Sequence, residues 1–405
     1  MIIKAKNPRL TSQEGRSQSG LRAYNERRIM TLIRQQGSAP KAEIALKTGL
    51  SAQAVTVIIN SLEADSLLIR KEPQRGRVGQ PTIPFALNPD GAFGIGLKVG
   101  RRSFDLTLID LMGNIRATLH ENCAYPTVNS LLTFLKKGIS VLKMSLNKDL
   151  ADRILGIGVA TPYEIWNWTE EAGAPTEIME QWKSFDFKLR INQIIDLPVY
   201  VCNDDTAACS AELSFGNPTR FTDFLYVFIG TFIGGGVVIN ESLFTGKKGN
   251  AGAIGSLPKP MLNSKGQLSS QQLIMQSSLY ILEKMLKNDG YNTDILWSSN
   301  EYWGDLGPVL EKWIDQVADG LAYAALCSLA IFDFEAVVID GAIPINVREK
   351  IVLATQIKLS EADHRGINRC EVKSGSIGAK AQSIGCANLP LLINFSQDNT
   401  ILSHH

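Results

Sequence analysis

Residues 224–240 read FLYVFIGTFIGGGVVIN, in which two apolar runs flank a cluster of glycines. The runs are rich in Val, Ile, Phe and Tyr, and glycines between two such runs are typical of a hairpin. Glycines spaced this closely also let backbone N–H groups approach an anion such as a phosphate. The stretch therefore predicts a β-hairpin, and the question it poses is whether that hairpin binds a nucleotide.

The residues around this hairpin predict an α/β body that extends over residues 91–405. Strands that lead into Gly or Asp turns alternate with helices throughout this part of the chain. The clearest predicted strands are FGIGLKV (93–99), FDLTLIDL (104–111), ILGIGVATP (154–162), LPVYVCNDD (197–205) and EAVVIDGAI (335–343). The clearest predicted helices are residues 128–146, 206–216, 310–332 and 375–389.

Residues 21–90 differ from the body and predict three short helices. In the first, Tyr24, Ile29, Leu32 and Ile33 fall on one helical face, and Gly37 ends the helix. The second begins at Pro40 and ends at a turn at Gly49. Ser51 is the predicted cap of the third helix, whose inward residues are Val55, Ile58, Ile59 and Leu62.

A glycine turn before a capped third helix predicts a helix-turn-helix that binds double-stranded DNA. Gln53, Thr56 and Asn60 share the face of the third helix opposite the inward residues, so they are predicted to read base edges in a major groove. Lys41 and Ser51 are predicted to contact DNA beside them. The alternative is that this face is only a solvated surface.

The segment LIRKEPQRGRVGQPTIPFALN (68–88) predicts two strands around a basic, glycine-rich turn, the wing of a winged helix. Arg75 and Arg77 in that turn are predicted to enter a narrow minor groove, whose negative potential attracts arginine. An exposed hairpin with incidental charge is the alternative.

The charge distribution agrees with a DNA-binding head. Residues 1–90 contain 14 Lys and Arg against 7 Asp and Glu, a net charge of +7, whereas residues 91–405 contain 27 against 33, a net charge of −6. A basic head on an acidic body indicates that the head meets a polyanion. Residues 1–20 are polar and basic, and we expect a flexible arm there rather than a signal peptide.

The six cysteines form no Cys-x-x-Cys pair, so we expect reduced thiols, no disulfide framework and a cytoplasmic protein. The opening stretch is interrupted by glycines and is too short for a membrane span.

The order of these motifs resembles the ROK family of repressors and sugar kinases, and the resemblance covers nearly the whole chain. It implies a two-lobed, actin-like (ribonuclease H-like, sugar-kinase type) ATPase-fold body, with a small lobe of about residues 91–200 plus a C-terminal helix and a large lobe of about residues 201–385. The winged head at residues 21–90 matches the regulators of the family. Residues 91–113 and GTFIGGG (230–236) resemble the phosphate hairpins, GNAGAIGSL (249–257) resembles the sugar loop, and AVVIDGAI (336–343) resembles the motif near the adenosine.

Asp204 matches the catalytic base of the kinases, and structural capping of the following helix is the alternative for this residue. The phosphate loops depart from the kinase pattern. The metal-binding acid is replaced by Lys98, and Arg101 and Arg102 replace a glycine and a threonine. Phe232 stands where the second hairpin of the kinases has a glycine. These changes predict that the chain is not an enzyme and uses no cofactor.

The sugar loop also departs from the family, because Ala253 to Ser256 replace its Glu-x-Gly-His pattern. Since the histidine and the cysteine cluster of the family's structural zinc site are both absent, we predict no metal. Candidate ligand contacts are Thr161, Glu164, Asn203, Asp204 and Asn250. Trp166 and Trp168 are further candidates for stacking on a sugar, although packing is the more ordinary role for them.

These predictions combine into a transcriptional regulator, a repressor of carbohydrate genes, that binds an operator and a sugar or sugar derivative. We expect a homodimer or tetramer with no membrane association. A sugar kinase with an appended head and a ligand-independent DNA-binding scaffold are the two rival functions.

Overall fold

The computed structural model describes residues 18–74, 81–167, 169, 173–217, 219–262 and 266–396. The chain divides into two compact units. The first consists of Met1–Cys202 and Cys386–His405, and the second of Asn203–Gly385. The head is thus grouped with the first part of the body. The domain boundaries drawn from the sequence remain predictions.

Three helices form the head: α1 (Gln18–Gln36), α2 (Lys41–Thr48) and α3 (Ala52–Ala64). Ile29 and Ile33 of α1 are completely buried, as the helical period predicts, but Tyr24 is 45% exposed. Nine residues, two and a half helical turns, separate Tyr24 from Ile33, so the two side chains point to opposite sides of α1 and Tyr24 faces away from the buried side. The inward residues predicted for α3, namely Val55, Ile58, Ile59 and Leu62, are all buried.

The helix ends in the head follow the sequence signals. Gly49 ends α2 with φ of +66°, a left-handed conformation that glycine adopts without a steric penalty. Ser51 caps α3, because its hydroxyl oxygen accepts a hydrogen bond from the backbone N–H of Ala54. The helix-turn-helix predicted from these two signals is confirmed.

A small antiparallel sheet completes the head as a winged helix. Its strands are β1 (Ala39–Pro40), β2 (Leu68–Arg70) and β3 (Pro84–Leu87), in the order β1-β3-β2. A bridge between Gln74 and Thr82 extends the wing beyond β2 and β3. The predicted arm up to residue 17 and the wing turn with Arg75 and Arg77 lie outside the described residues.

The head is attached to the body of the first unit through side chains of α1. The Nε of Arg27 donates a hydrogen bond to the carbonyl oxygen of Asn394 at 3.2 Å. Burial lowers the pKa of the Arg34 guanidinium to about 10, and the negative charge of Asp110 opposes this shift. Arg34 therefore stays charged at neutral pH, close enough to the fully buried Asp110 carboxylate to interact with it.

The first unit is built on a five-stranded sheet in the order β6-β5-β4-β7-β8. Strands β4, β5 and β6 are antiparallel neighbours, and β7 pairs with β4 in parallel. The strands are β4 (Phe93–Val99), β5 (Ser103–Asp110), β6 (Ile115–Asn122), β7 (Ile154–Thr161) and β8 (Val199–Asn203). The helices are α4 (Val128–Met144), α5 (Lys148–Ala151), α6 (Thr176–Glu180) and α7 (Phe187–Asn192).

The C-terminal helix (Ala381–Phe395) packs closely against this sheet from residue 386 onward. A Cβ added to Gly158 on β7 would lie 1.8 Å from the carbonyl oxygen of Cys386, and one added to Gly96 on β4 would lie 2.5 Å from the Ala387 nitrogen. These glycines are therefore required for contact between the helix backbone and the sheet.

The second unit repeats the topology of the first, with a five-stranded sheet in the order β11-β10-β9-β14-β15. Its strands are β9 (Phe224–Ile229), β10 (Ile233–Ile239), β11 (Ser242–Phe244), β14 (Ala336–Gly341) and β15 (Glu371–Ser374), and β12 (Pro258–Leu262) and β13 (Leu268–Gln272) form a separate hairpin. Its helices are α8 (Asp204–Phe215), α9 (Ile274–Ser277), α10 (Leu279–Asn288), α11 (Ile295–Ser298), α12 (Gly307–Phe332) and α13 (Ile345–Glu361). The predicted hairpin at residues 224–240 is formed by β9 and β10.

Helix α12 is long and apolar enough to cross a membrane if only length and composition are considered, but half of its most apolar 18-residue window is buried inside the protein. Its Trp313 is completely buried and donates a hydrogen bond from Nε1 to the carbonyl oxygen of Ser278 at 3.2 Å. These contacts are those of a core helix.

Candidate nucleic-acid interface and ligand site

The face of α3 that points away from the core of the head carries the side chains predicted to read bases. Gln53 and Asn60 are exposed, and Thr56 is half-buried between them. Ser51 is also exposed, at the start of the helix, where its hydroxyl oxygen accepts the capping hydrogen bond at 3.2 Å. The cap leaves the hydroxyl hydrogen of Ser51 for donation to a phosphate oxygen.

Two hydrogen bonds fix side chains on this face. The Nζ of Lys41 donates to Oδ1 of Asn60 at 3.0 Å, and the hydroxyl of Thr56 donates to the carbonyl oxygen of Ala52 at 2.8 Å. Lys41 begins α2, so its hydrogen bond joins the two helices of the motif. The hydrogen bond from Lys41 therefore orients the Asn60 amide, in addition to the DNA contact that is predicted for Lys41.

Val57 lies on the same face and was not among the residues that the sequence pattern selected. Its side chain is 55% exposed, whereas the other large apolar residues of α3 are at most 5% exposed. The helical period could have revealed it, because Val57 follows Gln53 by four residues and precedes Asn60 by three.

On the wing, Arg70 is held by an ion pair with Glu63 of α3. The Nε and one terminal nitrogen of Arg70 donate to the two carboxylate oxygens of Glu63 at 2.6 and 2.9 Å. The hydrogen bond from Arg70 lowers the pKa of Glu63, whose side chain is partly exposed. This pair connects strand β2 of the wing with the end of α3.

The first unit contains two of the candidate ligand residues. Thr161 ends β7, and its hydroxyl oxygen is shielded from solvent without a hydrogen-bond partner among the described residues. Glu164 has φ of +46°, and its Oε2 accepts a hydrogen bond from Nδ2 of Asn167 at 2.6 Å. Trp166 packs against the hydrophobic core of this unit, in agreement with its more ordinary role. Trp168 lies outside the described residues.

In the second unit, Asn203 and Asp204 stand where β8 ends and α8 begins. The cap of α8 is Asn203, whose Oδ1 accepts hydrogen bonds from the backbone N–H groups of Asp205 and Thr206 at 2.9 and 3.2 Å. Asp204 is the first residue of the helix and is only 8% exposed. The capping alternative considered for Asp204 thus applies to Asn203.

Gln382 is the neighbour of Asp204 that the sequence did not indicate. Its Nε2 donates to Oδ2 of Asp204 at 3.3 Å and to Oδ1 of Asp205 at 3.1 Å. The two residues are 178 positions apart in the chain, and no motif joins them.

Asn250 is half-buried at the start of the altered sugar loop (249–257). In that loop Ala253 is exposed, while Ile254 and Gly255 are buried. The second unit thus contains Asn203, Asp204 and Asn250, and the first contains Thr161 and Glu164. Asn203 and Asp204 are adjacent in the sequence.

The glycines of GTFIGGG lie largely inside a strand. Gly234, Gly235 and Gly236 belong to β10 and are buried. A Cβ on Gly236 would lie 2.5 Å from the Cβ of Cys209 on α8, and one on Gly235 would lie 2.4 Å from the carbonyl oxygen of Tyr226 on β9. Close packing of β10 therefore explains these glycines without a bound phosphate.

The turn before β10 is covered by the beginning of α10. The carbonyl oxygens of Gly230 and Thr231 accept hydrogen bonds from the backbone N–H groups of Leu279 and Tyr280 at 3.1 and 3.2 Å. The ring of Phe232 meets that of Tyr280 edge to face, with centroids 5.7 Å apart. The turn thus directs two carbonyl oxygens at a helix N-terminus.

Two regions of the chain match known protein families. Residues 22–68 match a winged helix-turn-helix DNA-binding family. Residues 94–269 match the ROK family. The chain contains a ROK family domain. The sequence-based recognition of a winged head in front of such a body is confirmed.

The chain is similar to known regulators in sequence, and its fold is similar to those of a regulator and a kinase. It is 24% identical over 281 residues to the xylose repressor of Bacillus subtilis, a match that covers 66% of this chain and 71% of the repressor. Its fold resembles that of a ROK family transcriptional regulator, a homologue of the Escherichia coli MLC protein, with a TM-score of 0.65 and 18% identity over 93% of this chain and 98% of that one. It also resembles a ROK glucokinase from Streptomyces griseus, with a TM-score of 0.55 and 18% identity over 74% of this chain and 99% of the kinase.

The motif at residues 336–343, predicted to lie near an adenosine, contains a buried ion pair. Asp340, at the end of β14, is completely buried, and it pairs with Arg348 of α13, which is 6% exposed. The hydroxyl of Tyr226 donates to Oδ2 of Asp340 at 3.1 Å, and the N–H of Gly378 donates to the same atom at 2.9 Å. Burial, followed by the charge of Asp340, raises the pKa of Tyr226, so its hydroxyl remains a donor.

At the first hairpin of the ROK domain, Lys98 lies beside Asp105 of the neighbouring strand, with Nζ 3.5 Å from Oδ2. Oδ1 of Asp105 also forms a hydrogen bond with Nδ1 of His120 at 2.6 Å. Arg101 is half-buried and Arg102 is exposed. The positive charge of Lys98 is therefore partly compensated by a carboxylate of the same sheet.

In the part of the chain that the structure describes, no three or more His, Cys, Asp or Glu side chains are grouped so that they could hold a metal ion. The absence of zinc remains a prediction from the sequence. All six cysteines lie in the described part of the chain, where none forms a disulfide, and burial raises the pKa of the Cys209 and Cys386 thiols, which are therefore protonated at neutral pH.

Proposed function

We propose that this protein is a DNA-binding transcriptional repressor of carbohydrate genes, and that its ROK domain binds a sugar or sugar derivative. The observation that carries the proposal is the winged helix-turn-helix in front of the ROK domain, with Gln53 and Asn60 exposed on α3. The net charge of +7 on residues 1–90 supports binding to DNA. The similarity to a xylose repressor supports a sugar as the effector.

Regulation then depends on how two heads are spaced in a homodimer. Dimeric helix-turn-helix proteins bind half-sites separated by about 34 Å, one turn of DNA, or a multiple of it. Because α1 is fastened to the body of the first unit, a ligand that changes the dimer geometry also moves the head. The ligand changes the affinity for DNA only to the extent that it binds one dimer geometry more tightly than the other.

The test is a gel shift with the purified full-length protein, DNA from upstream of sugar genes and a panel of sugars. We expect retardation of one fragment at low salt and its reversal by one sugar. Absence of DNA binding at low salt would reject the repressor function.

Binding that no sugar alters, together with no sugar-induced rise in melting temperature, favours a ligand-independent scaffold. A ligand at 100 times its Kd stabilises the folded state by about 2.7 kcal/mol, which a melting experiment detects.

We also propose that the ROK domain does not phosphorylate its ligand. Three features support this. In the second hairpin turn, the ring of Phe232 contacts Tyr280, and the carbonyl oxygens of the turn accept hydrogen bonds from α10. Lys98 stands where a metal-binding acid is expected. The Asp340 ion pair fills the motif predicted near the adenosine. Phosphoryl transfer needs positioned phosphates and a metal ion, and these three features argue against the binding of both.

A sugar kinase with an appended head is the rival function, and the position of Asp204 at the end of β8 favours it. This rival predicts ATP-dependent phosphorylation of a hexose that Asp204→Asn abolishes. We expect no turnover above background with magnesium, ATP and each sugar of the panel. Turnover that disappears in Asp204→Asn would establish the kinase.

The cellular location follows from the proposed function. A repressor meets its operator in the cytoplasm, and the chain is similar to a xylose repressor and to a DNA-binding transcriptional dual regulator.

A further inference from the structure

Val57 places an apolar side chain in the middle of the polar reading face of α3. It is 55% exposed, between Gln53 one turn before it and Asn60 one turn after it. Residues separated by three and four positions are neighbours on a helix surface. The isopropyl group of Val57 therefore lies between two side-chain amides.

Val57 is not part of the hydrophobic core of the head. The buried side of α3 is supplied by Val55, Ile58, Ile59 and Leu62, with exposures of 0 to 5%. A single exposed valine on a protein surface is ordinary. What distinguishes this one is the chemistry of its neighbours on a DNA-reading helix.

The three side chains match the groups that A·T base pairs present in the major groove. An Asn or Gln amide forms two hydrogen bonds with N6 and N7 of adenine, whereas an apolar side chain contacts the 5-methyl group of thymine. Lys41 holds Oδ1 of Asn60 at 3.0 Å, which fixes the amide before DNA arrives. The hydroxyl hydrogen of Thr56 is directed at the carbonyl oxygen of Ala52, so the polar donor next to Val57 is already engaged within the helix.

We propose that Val57 reads the 5-methyl group of a thymine in each half-site, while the amides of Gln53 and Asn60 read neighbouring A·T pairs. This inference rests on the proposed function, because it requires that α3 enters the major groove. It adds a base-specific prediction, since thymine differs from uracil at this position by one methyl group.

The experiment uses the full-length protein and a duplex selected by it from a random pool. Each thymine of the duplex is replaced by uracil in turn, and affinity is measured by fluorescence anisotropy at one fixed salt concentration. We expect one thymine in each half-site at which uracil weakens binding about four-fold, the effect of losing one buried methyl-sized group. Val57→Ala is expected to bind the thymine duplex more weakly and to lose the discrimination at that thymine.

Leu46→Ala is the matched control. Leu46 is an apolar residue of the same motif, 82% exposed, but it lies on α2. This variant should keep the full preference for thymine. Because Val57 is exposed, Val57→Ala should melt at the same temperature as the wild type, and a wild-type melting curve shows that weaker binding does not come from unfolding.

The outcomes separate this inference from the proposed function. If the wild type binds the selected duplex but accepts uracil at every position, the methyl contact is wrong and DNA binding stands. The same holds if Val57→Ala keeps the discrimination. If no duplex is selected, both the proposed function and the methyl contact are overturned.

Discussion

At the scale of single residues, the ion pair between Asp340 and Arg348 illustrates how a ligand motif can become part of the core. Asp340 accepts hydrogen bonds from the Tyr226 hydroxyl and from backbone N–H groups, including that of Gly341 at 2.9 Å. Such a carboxylate is stabilised only while its cationic partner remains. A buried pair that loses one member leaves an uncompensated charge inside the protein.

Arg348→Ala should therefore lower the free energy of unfolding by about 3–5 kcal/mol. Urea denaturation followed by circular dichroism measures this change. Lys350→Ala is the control on the same helix, because Lys350 forms an exposed pair with Glu311 and should cost at most about 1 kcal/mol. Equal losses in the two variants would contradict the role of burial.

Gly158 is a second residue whose substitution tests the packing. A Cβ there would lie 1.8 Å from the carbonyl oxygen of Cys386, and a helix backbone cannot move aside as a side chain can. Gly158→Ala should destabilise the protein by about 3 kcal/mol or more, the upper range for overpacking. A Cβ on Gly100 would lie 3.0 Å from its nearest atom, the carbonyl oxygen of Ser103. Gly100→Ala should therefore lower the melting temperature distinctly less than Gly158→Ala.

At the scale of elements, the pair of strands β5 and β6 carries a pH-dependent contact. Asp105 and His120 lie opposite each other, and Oδ1 of Asp105 is 2.6 Å from Nδ1 of His120. The hydrogen bond with Asp105 is the main cause that raises the pKa of His120, and partial burial opposes it. Since the folded-state pKa is raised, the stabilisation is complete below the unfolded value of about 6.5 and disappears as pH rises through the folded pKa.

His120→Gln should thus be less stable than the wild type at about pH 5.5 and approach it at about pH 9. Melting temperatures measured across this range give the comparison. Asn122→Ala removes the weaker partner of the same ring, at 2.9 Å from Nε2, and should keep most of the pH dependence. Parallel curves for wild type and His120→Gln would show that the pair contributes nothing.

Much of the element structure was predictable because its signals are local. The capping of α3 by Ser51, the turn at Gly49 and the hairpin at residues 224–240 each depend on a few adjacent residues. The reason for the glycines in β10 was not predictable. It depends on Cys209 and Tyr226, which reach those glycines only after the sheet and α8 have packed.

At the scale of the whole molecule, the order of motifs was sufficient to predict the winged head and the ROK domain. The candidate site was less accessible to sequence reasoning. Gln382 meets Asp204 across 178 positions, and Val57 is recognised only when its exposure is known. Tyr24 shows the converse error, since it lies two and a half helical turns from Ile33 and therefore on the opposite, exposed side of α1.

Binding of the whole molecule to DNA should depend strongly on salt. Each phosphate contact releases counterions and contributes about 0.9 to the slope of log K against log salt concentration. Replacing both Arg75 and Arg77 by alanine should make this slope shallower by up to about 1.8. A fluorescence anisotropy titration at several salt concentrations measures the slope. An unchanged slope would exclude these arginines from the interface.

The attachment of α1 has a consequence for chimaeric regulators. Arg27 bonds to Asn394, which follows it by 367 positions, and Arg34 interacts with Asp110 of the body. A graft that exchanges only the first ninety residues for those of another regulator cuts both connections. A hybrid biosensor built on this protein therefore needs a donor head with matching cations on its first helix, or the C-terminal helix must be transplanted with it.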